Sequence, residues 1–322
     1  MSGHDDKENI REDVEAISGS NEDREHSLSN DVHPETGKSE EGGKIEEAQV
    51  TSLPATRYQQ LGWVLRRHFF SLVIISAYTF LFSLPLVAWI LFCTSATFLS
   101  EYPNLYSTLL IYGGVALLLP IMALGFTGSA YFLKKLTWNQ GADVRADFLS
   151  GVRKNGRSYA LIGFLIGLLY LLLHLLISFI DASGEAINPY VASLSIGLGY
   201  GFFLLLCSIF CVQGSLLMTY EGGFVSHFLV ALKIGLVNLY KGIWVYLLAF
   251  VPFIVFEFAS GLTVALIVCA LCAVFYFGFA ALLSVLYCNS LFDLAFNRRL
   301  YKEAYRRGLL GQGDVNYDPK GK

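Results

Sequence analysis

The sequence carries little charge beyond its first fifty residues. Charged residues make up 15% of its 322 positions, against about 25% in a soluble globular protein. Residues 1–50 hold 15 of the 26 acids and 5 of the 23 bases, a net charge of about −10. The rest of the chain holds 18 bases and 11 acids, a net of about +7. The overall charge of −3 therefore describes neither part. Cysteine is missing from every loop. Cys93, Cys207, Cys211, Cys269, Cys272 and Cys288 all fall in apolar runs, so no disulfide framework is expected. Cys269-x-x-Cys272 has the spacing of a redox or metal pair, but no other ligand type stands near it. Packing as small apolar side chains is the expectation. There is no P-loop, zinc-ligand spacing, paired buried carboxylates or Ser/His/Asp arrangement. No catalytic residue, metal or cofactor is therefore assigned, and the chain is expected not to be an enzyme. Alternating strand patterns are absent, which argues against a barrel. The start has no basic segment followed by an apolar run, so it does not read as a signal peptide.

What is present is apolar side chain, at 54% of positions and a mean hydropathy of +0.52. Residues 1–56 have almost no large apolar groups. Such a segment cannot offset its ordering entropy by burial, and a disordered acidic tail is expected there. Residues 57–297 then contain six apolar spans: Phe69–Phe98, Leu105–Leu133, Tyr159–Ile180, Val191–Tyr220, Ile243–Phe258 and Gly261–Phe292. Crossing about 30 Å of hydrocarbon takes about 20 helical residues. In lipid each span must satisfy its own backbone hydrogen bonds, which requires helices. The expected fold is an all-α polytopic membrane protein with six transmembrane helices. Residues 298–322 read as a basic C-terminal tail.

Lys and Arg set the orientation. They occur at Arg57, Arg66 and Arg67, between the second and third spans, at Lys233 and Lys241, and from Arg298 onward. The other loops contain Glu101, Asp181, Glu185 and Glu257 and no base. Both termini are therefore expected in the cytoplasm. Trp63, Trp138, Trp244, Tyr58, Tyr159, Tyr240 and Tyr287 fall near the cytoplasmic ends of spans, where aromatic rings anchor helices. The bases track these boundaries, so no nucleic-acid partner is expected.

The stretch Gly125–Asn155 is the most distinctive. Asp143 is suited to N-cap a helix over Val144–Asn155, with Gly156 just past its end. Val144, Phe148, Leu149 and Val152 would share one face; Arg145, Ser150, Arg153, Lys154 and Arg157 are polar. A basic amphipathic elbow beside a membrane attracts anionic headgroups or docks on a partner. The contact residues expected on it are Asp143, Arg145, Asp147, Phe148, Val152, Arg153, Lys154 and Asn155. A weaker echo follows the fourth span at His227–Lys233, and a frayed third copy runs from Phe292 to Arg307. Within the spans His174 is the principal ionisable residue, a functional candidate by its depth. Asp293 is expected to pair locally near Asn297 and Arg298. Gly163-x-x-x-Gly167 and Gly197-x-x-x-Gly201 permit close helix approach. Pro85, Pro120 and Pro252 would kink their helices.

The residues Gly125, Gly128, Ala130, Tyr131 and Leu136, then Gly141-Ala142-Asp143-Val144, Asp147-Phe148, Gly151 and Lys154-Asn155 resemble the YesL-like family of bacterial integral membrane proteins. The resemblance is specific over Pro120–Leu161 and topological elsewhere. The long acidic start departs from the family's usual short one. The family is largely uncharacterised and brings no catalytic residues. Its members are often encoded beside carbohydrate-uptake ABC transporters and polysaccharide-degrading enzymes. The resemblance thus implies an accessory or regulatory role in carbohydrate uptake, in the bacterial inner membrane. Its partners would be the lipid bilayer and transporter membrane subunits, with a homo-oligomer as an alternative. The competing reading is a stand-alone small-solute permease with His174, Gln213 and Asn289 lining a central cavity.

Overall fold

The computed structural model describes residues 53–95, 105–184, 187–258, 262–315 and 317. Most of the expected acidic tail lies outside these residues, as do Glu101, Glu185 and the turn at 259–261. The described residues are helical and contain no strand. The order is α1 (Arg57–Arg67), α2 (Phe69–Ser95), α3 (Leu105–Thr137), α4 (Val144–Ser183), α5 (Pro189–Thr219), α6 (Phe224–Val237), α7 (Leu239–Phe258), α8 (Leu262–Leu271) and α9 (Phe277–Phe292). A π turn, Cys272–Tyr276, joins α8 to α9, and a second, Asp293–Asn297, extends α9.

The chain is an all-α polytopic membrane protein. α2, α3, α4, α5 and the α8–α9 run over Leu266–Asn297 are each long and apolar enough to cross a membrane. α6 and the first part of α7 supply a sixth such element, bent by 100° between them. Large apolar side chains face outward along these helices. Leu117 is 69% exposed, Leu198 65% and Phe179 64%. Exposure on this scale fits a lipid-facing surface.

α3 and α4 form the central hairpin, packed through small residues. A Cβ built on Gly167 would stand 2.6 Å from the Cα of Ala116, and one on Gly163 would stand 2.8 Å from the Cβ of Ala123. Nearer the turn, Gly128 lies against the Phe148 ring and Gly151 against Tyr131. The close approach expected of Gly163-x-x-x-Gly167 is present. At Gly197 and Gly201 a Cβ would meet nothing within 4 Å; on that helix Gly199 meets Leu173 instead. α2, α3 and α7 continue through Pro85, Pro120 and Pro252. Pro120 cannot donate to the Ala116 carbonyl, and Gly167 occupies the space beside it.

The expected elbow helix does not stop at Gly156. α4 runs unbroken for 40 residues, about 60 Å at 1.5 Å per residue, roughly twice the hydrocarbon thickness. Gly156 serves close packing against Leu124 rather than chain reversal. The second elbow behaves differently. α6 lays Val230, Ala231 and Ile234 on Ile209, Val212 and Leu216 of α5. It then ends where Asn238 bonds the Ile234 carbonyl through both its backbone N–H and its Nδ2. That local capping competes with helix continuation, and α7 departs at 100°. The third copy is not helical beyond Asn297.

The π turn before α9 has a partner on α2. The Gly278 N–H donates to Ser76 Oγ at 2.6 Å, and a Cβ on Gly278 would stand 2.5 Å from the Leu72 carbonyl oxygen. A π turn shifts the ladder by one residue, and Ser76 takes up a backbone donor at that shift.

Gly167→Ala should destabilise the chain by about 1–3 kcal/mol through overpacking, while Gly201→Ala should leave it unchanged. Unfolding of both variants in detergent, followed by circular dichroism, checks this. Equal effects would contradict the packing assigned to the hairpin.

Candidate functional site at the polar end of the bundle

One end of the bundle gathers polar groups that are far apart in sequence. Thr56 caps α1 by accepting from the Gln59 N–H at 3.3 Å. Arg57 follows, and its Nη2 donates to Asp293 Oδ2 at 2.8 Å. Its Nη1 donates to Gln60 Oε1 at 2.7 Å and to the Arg307 carbonyl at 3.1 Å. Gln60 is 1% exposed and donates to the Thr137 carbonyl at 2.6 Å. Asp293 Oδ1 accepts from Asn297 Nδ2 and the Arg306 N–H. Tyr220 donates to Asn297 Oδ1 at 2.6 Å. Lys134 Nζ donates to the Met218 carbonyl at 2.8 Å and sits 4.6 Å from the Trp138 ring centroid. The ends of α3, α5 and α9, helix α1 and the C-terminal segment therefore meet in one network.

The Arg57 and Asp293 side chains are 12% and 14% exposed. Burial draws the Arg57 guanidinium down from its ordinary value, and the Asp293 carboxylate opposes that. Asp293 bonds Asn297 as expected, but its cation is Arg57, 236 residues away, and not Arg298. Arg298 instead donates to the Val315 carbonyl at 3.3 Å. The α9 end points Asp293 into the bundle, where an exposed local pair could not form. The C-terminal segment folds back as turns, with Leu309 3% exposed. Gly308 sits at φ 76°. A Cβ there would come within 1.8 Å of the Thr137 carbonyl oxygen, so only glycine fits.

The α3–α4 turn forms the tip beside this network. Asn139 and Gly141 take left-handed φ values of 54° and 64°, a conformation both residue types tolerate. Asp143 then caps α4, accepting from the Ala146 N–H at 2.6 Å. Asp147 reaches back to the Asp143 N–H at 2.9 Å and pairs with Lys135 at 2.7 Å. Phe148 is 2% exposed, between Gly128, Tyr78 and Phe82. Two of the expected contact residues, Asp147 and Phe148, thus face inward and hold the tip in place. Gly128 leaves the space that draws the Phe148 ring in. Arg145, Leu149, Arg153, Lys154 and Arg157 remain exposed, while Val152 and Asn155 are half-buried. Lys154 Nζ lies 5.6 Å from the Tyr131 ring centroid.

His174 stacks on Tyr112 with ring centroids 3.6 Å apart and meets Tyr170 edge-on at 4.4 Å. Gln213 donates to the Phe224 carbonyl at 3.0 Å. Tyr159 lies beside Gly214 and Leu173 beside Gly199, which sets the relative depth of α4 and α5. His174 and Gln213 are therefore separated by about 20 Å of helix rise and do not line one cavity. Asn289 is 5% exposed on α9. Cys272 packs with Leu86, Val115, Met122, Val268 and Phe277, as a small apolar residue would. Among the described residues no group of three or more His, Cys, Asp or Glu could hold a metal ion. The aromatic belt divides: Tyr58, Tyr240 and Trp244 are exposed, whereas Tyr159 turns onto Gly214 and Trp138 lies under Lys134 and Arg307.

Sequence reasoning missed Gln60, Lys134 and Tyr220 as members of the network, and Lys135 as the partner of Asp147. A polar α1 that buries glutamine was the available signal. Comparison with family models, curated proteins and solved structures gave no match to this chain.

Phe148→Ala should lower stability by about 3–5 kcal/mol. Leu149→Ala, at a site 44% exposed, should change it by about 0.5 kcal/mol or less. Denaturant titration in detergent distinguishes the two, and a larger cost at Leu149 would reverse the face assignment.

Proposed function

We propose that this protein is a non-enzymatic accessory or regulatory component of an ABC-type carbohydrate uptake system in the bacterial inner membrane. The observation that carries the reading is the exposed basic face of the α3–α4 tip, formed by Arg145, Arg153, Lys154 and Arg157. Asp143, Asp147 and Phe148 fix this face from behind, so it is presented on a braced hairpin. A pre-organised surface loses less conformational entropy on binding. The distribution of Lys and Arg supports a cytoplasmic position for this end, together with both termini. The network supports one shared side for α1, the α3–α4 turn and the C-terminal segment. The link to carbohydrate uptake rests on the resemblance over Gly125–Asn155. The permease reading draws no support from the separation of His174 and Gln213.

Crosslinking in native membranes, followed by purification in mild detergent and mass spectrometry, tests this proposal. Transporter membrane subunits should co-purify with the wild-type chain. Arg153→Glu/Lys154→Glu should lose them while still inserting to wild-type levels. Recovery of the chain alone, or only with copies of itself, would overturn the proposal and make reconstituted solute uptake the next measurement.

A further inference from the structure

A groove of about 700 Å³ opens beside the Arg57–Asp293 pair. Arg57, Lys241, Arg298, Arg299 and Arg306 line it, against the single carboxylate of Asp293. Three of the five cations are engaged locally. Arg57 is paired with Asp293, Arg306 donates to the Ala55 and Leu310 carbonyls while stacking on Tyr317, and Arg298 donates to the Val315 carbonyl. These carbonyls carry no charge, and Lys241, Arg298 and Arg299 are exposed, so the groove keeps excess positive charge. A concave site of one sign focuses its field on a counter-ion.

We propose that this groove binds the phosphate group of an anionic phospholipid headgroup. Guanidinium groups match phosphate geometry, and basic pockets between helices near a membrane surface suit such headgroups. The surroundings favour lipid over a soluble phosphate. Ser290 and Leu294 line the groove from the lipid-facing end of the last span, where Leu294 is 72% exposed. Tyr240 and Trp244 flank Lys241 and are 77% and 62% exposed. Exposed Tyr and Trp sit at headgroup depth. A phosphate held in the groove would therefore have its acyl chains beside α7 and α9. The inference does not rest on the transporter reading.

Native mass spectrometry of the delipidated full chain, titrated with phosphatidylglycerol, phosphatidylcholine or inorganic phosphate, tests it. Phosphatidylglycerol should bind in preference to phosphatidylcholine. Lys241→Gln/Arg299→Gln should weaken phosphatidylglycerol binding about tenfold or more, since two cations that attract the anionic headgroup are lost. The variant's unfolding without lipid should match wild type, because neither side chain is in the network. Equal binding of both lipids, or unchanged binding in the variant, would overturn the proposal. So would inorganic phosphate at millimolar concentration displacing the lipid completely, which would mark the groove as a soluble-phosphate site.

Discussion

The buried ion pair between Arg57 and Asp293 ties together two segments 236 residues apart. It joins the first described helix to the end of the last span, and every other member of the polar network is arranged around it. Gln60 and the Arg307 carbonyl take the remaining hydrogens of Arg57 Nη1, and Asn297 and the Arg306 N–H complete Asp293. A buried pair does not by itself make a protein more stable than apolar residues would. Its force lies in the cost of leaving one partner alone. An unpaired buried charge costs about 3–5 kcal/mol, so arrangements that separate α1 from the end of the last span are disfavoured by about that amount.

The α3–α4 hairpin provides the complementary constraint. Between helices in lipid there is little hydrophobic drive, and close packing of small residues replaces it. Gly128, Gly151, Gly163 and Gly167 let the two longest helices approach, and Phe148 and Tyr131 fill the space at the turn. The same packing positions the basic face at the tip. Arg153 and Lys154 face outward because Phe148 and Gly151, on the opposite side of the same turns, face inward. Lys134, at the end of α3, bonds the Met218 carbonyl at the end of α5. The hairpin and the polar network are therefore mechanically continuous.

The sequence made the helices legible because an apolar run of about twenty residues has few alternatives. The α4 N-cap was legible because Asp143 precedes a helical pattern across a turn containing Asn139 and Gly141. The Gly163–Gly167 contact was legible from its spacing. Gly156 was misread as a stop because glycine signals a helix end locally; only the contact with Leu124 shows why it is interior. The π turns left no trace in local sequence signals; the first is met by a partner on another helix, where Ser76 accepts from the Gly278 N–H. The burial of Phe148 and Asp147 depends on Gly128 and Lys135, which lie before the turn. The Arg57–Asp293 pair was invisible for the same reason, with 236 residues between its partners.

The most direct measurement is a double-mutant cycle with Arg57→Leu and Asp293→Asn, read by unfolding in detergent. If the pair organises the polar end, each single change costs about 3 kcal/mol. The double variant should then be no worse than about one of them, a coupling of about 3 kcal/mol. Single effects that simply add, with coupling under about 0.5 kcal/mol, would contradict the account. α1 and the end of the last span would then be held together by the surrounding packing and not by the pair.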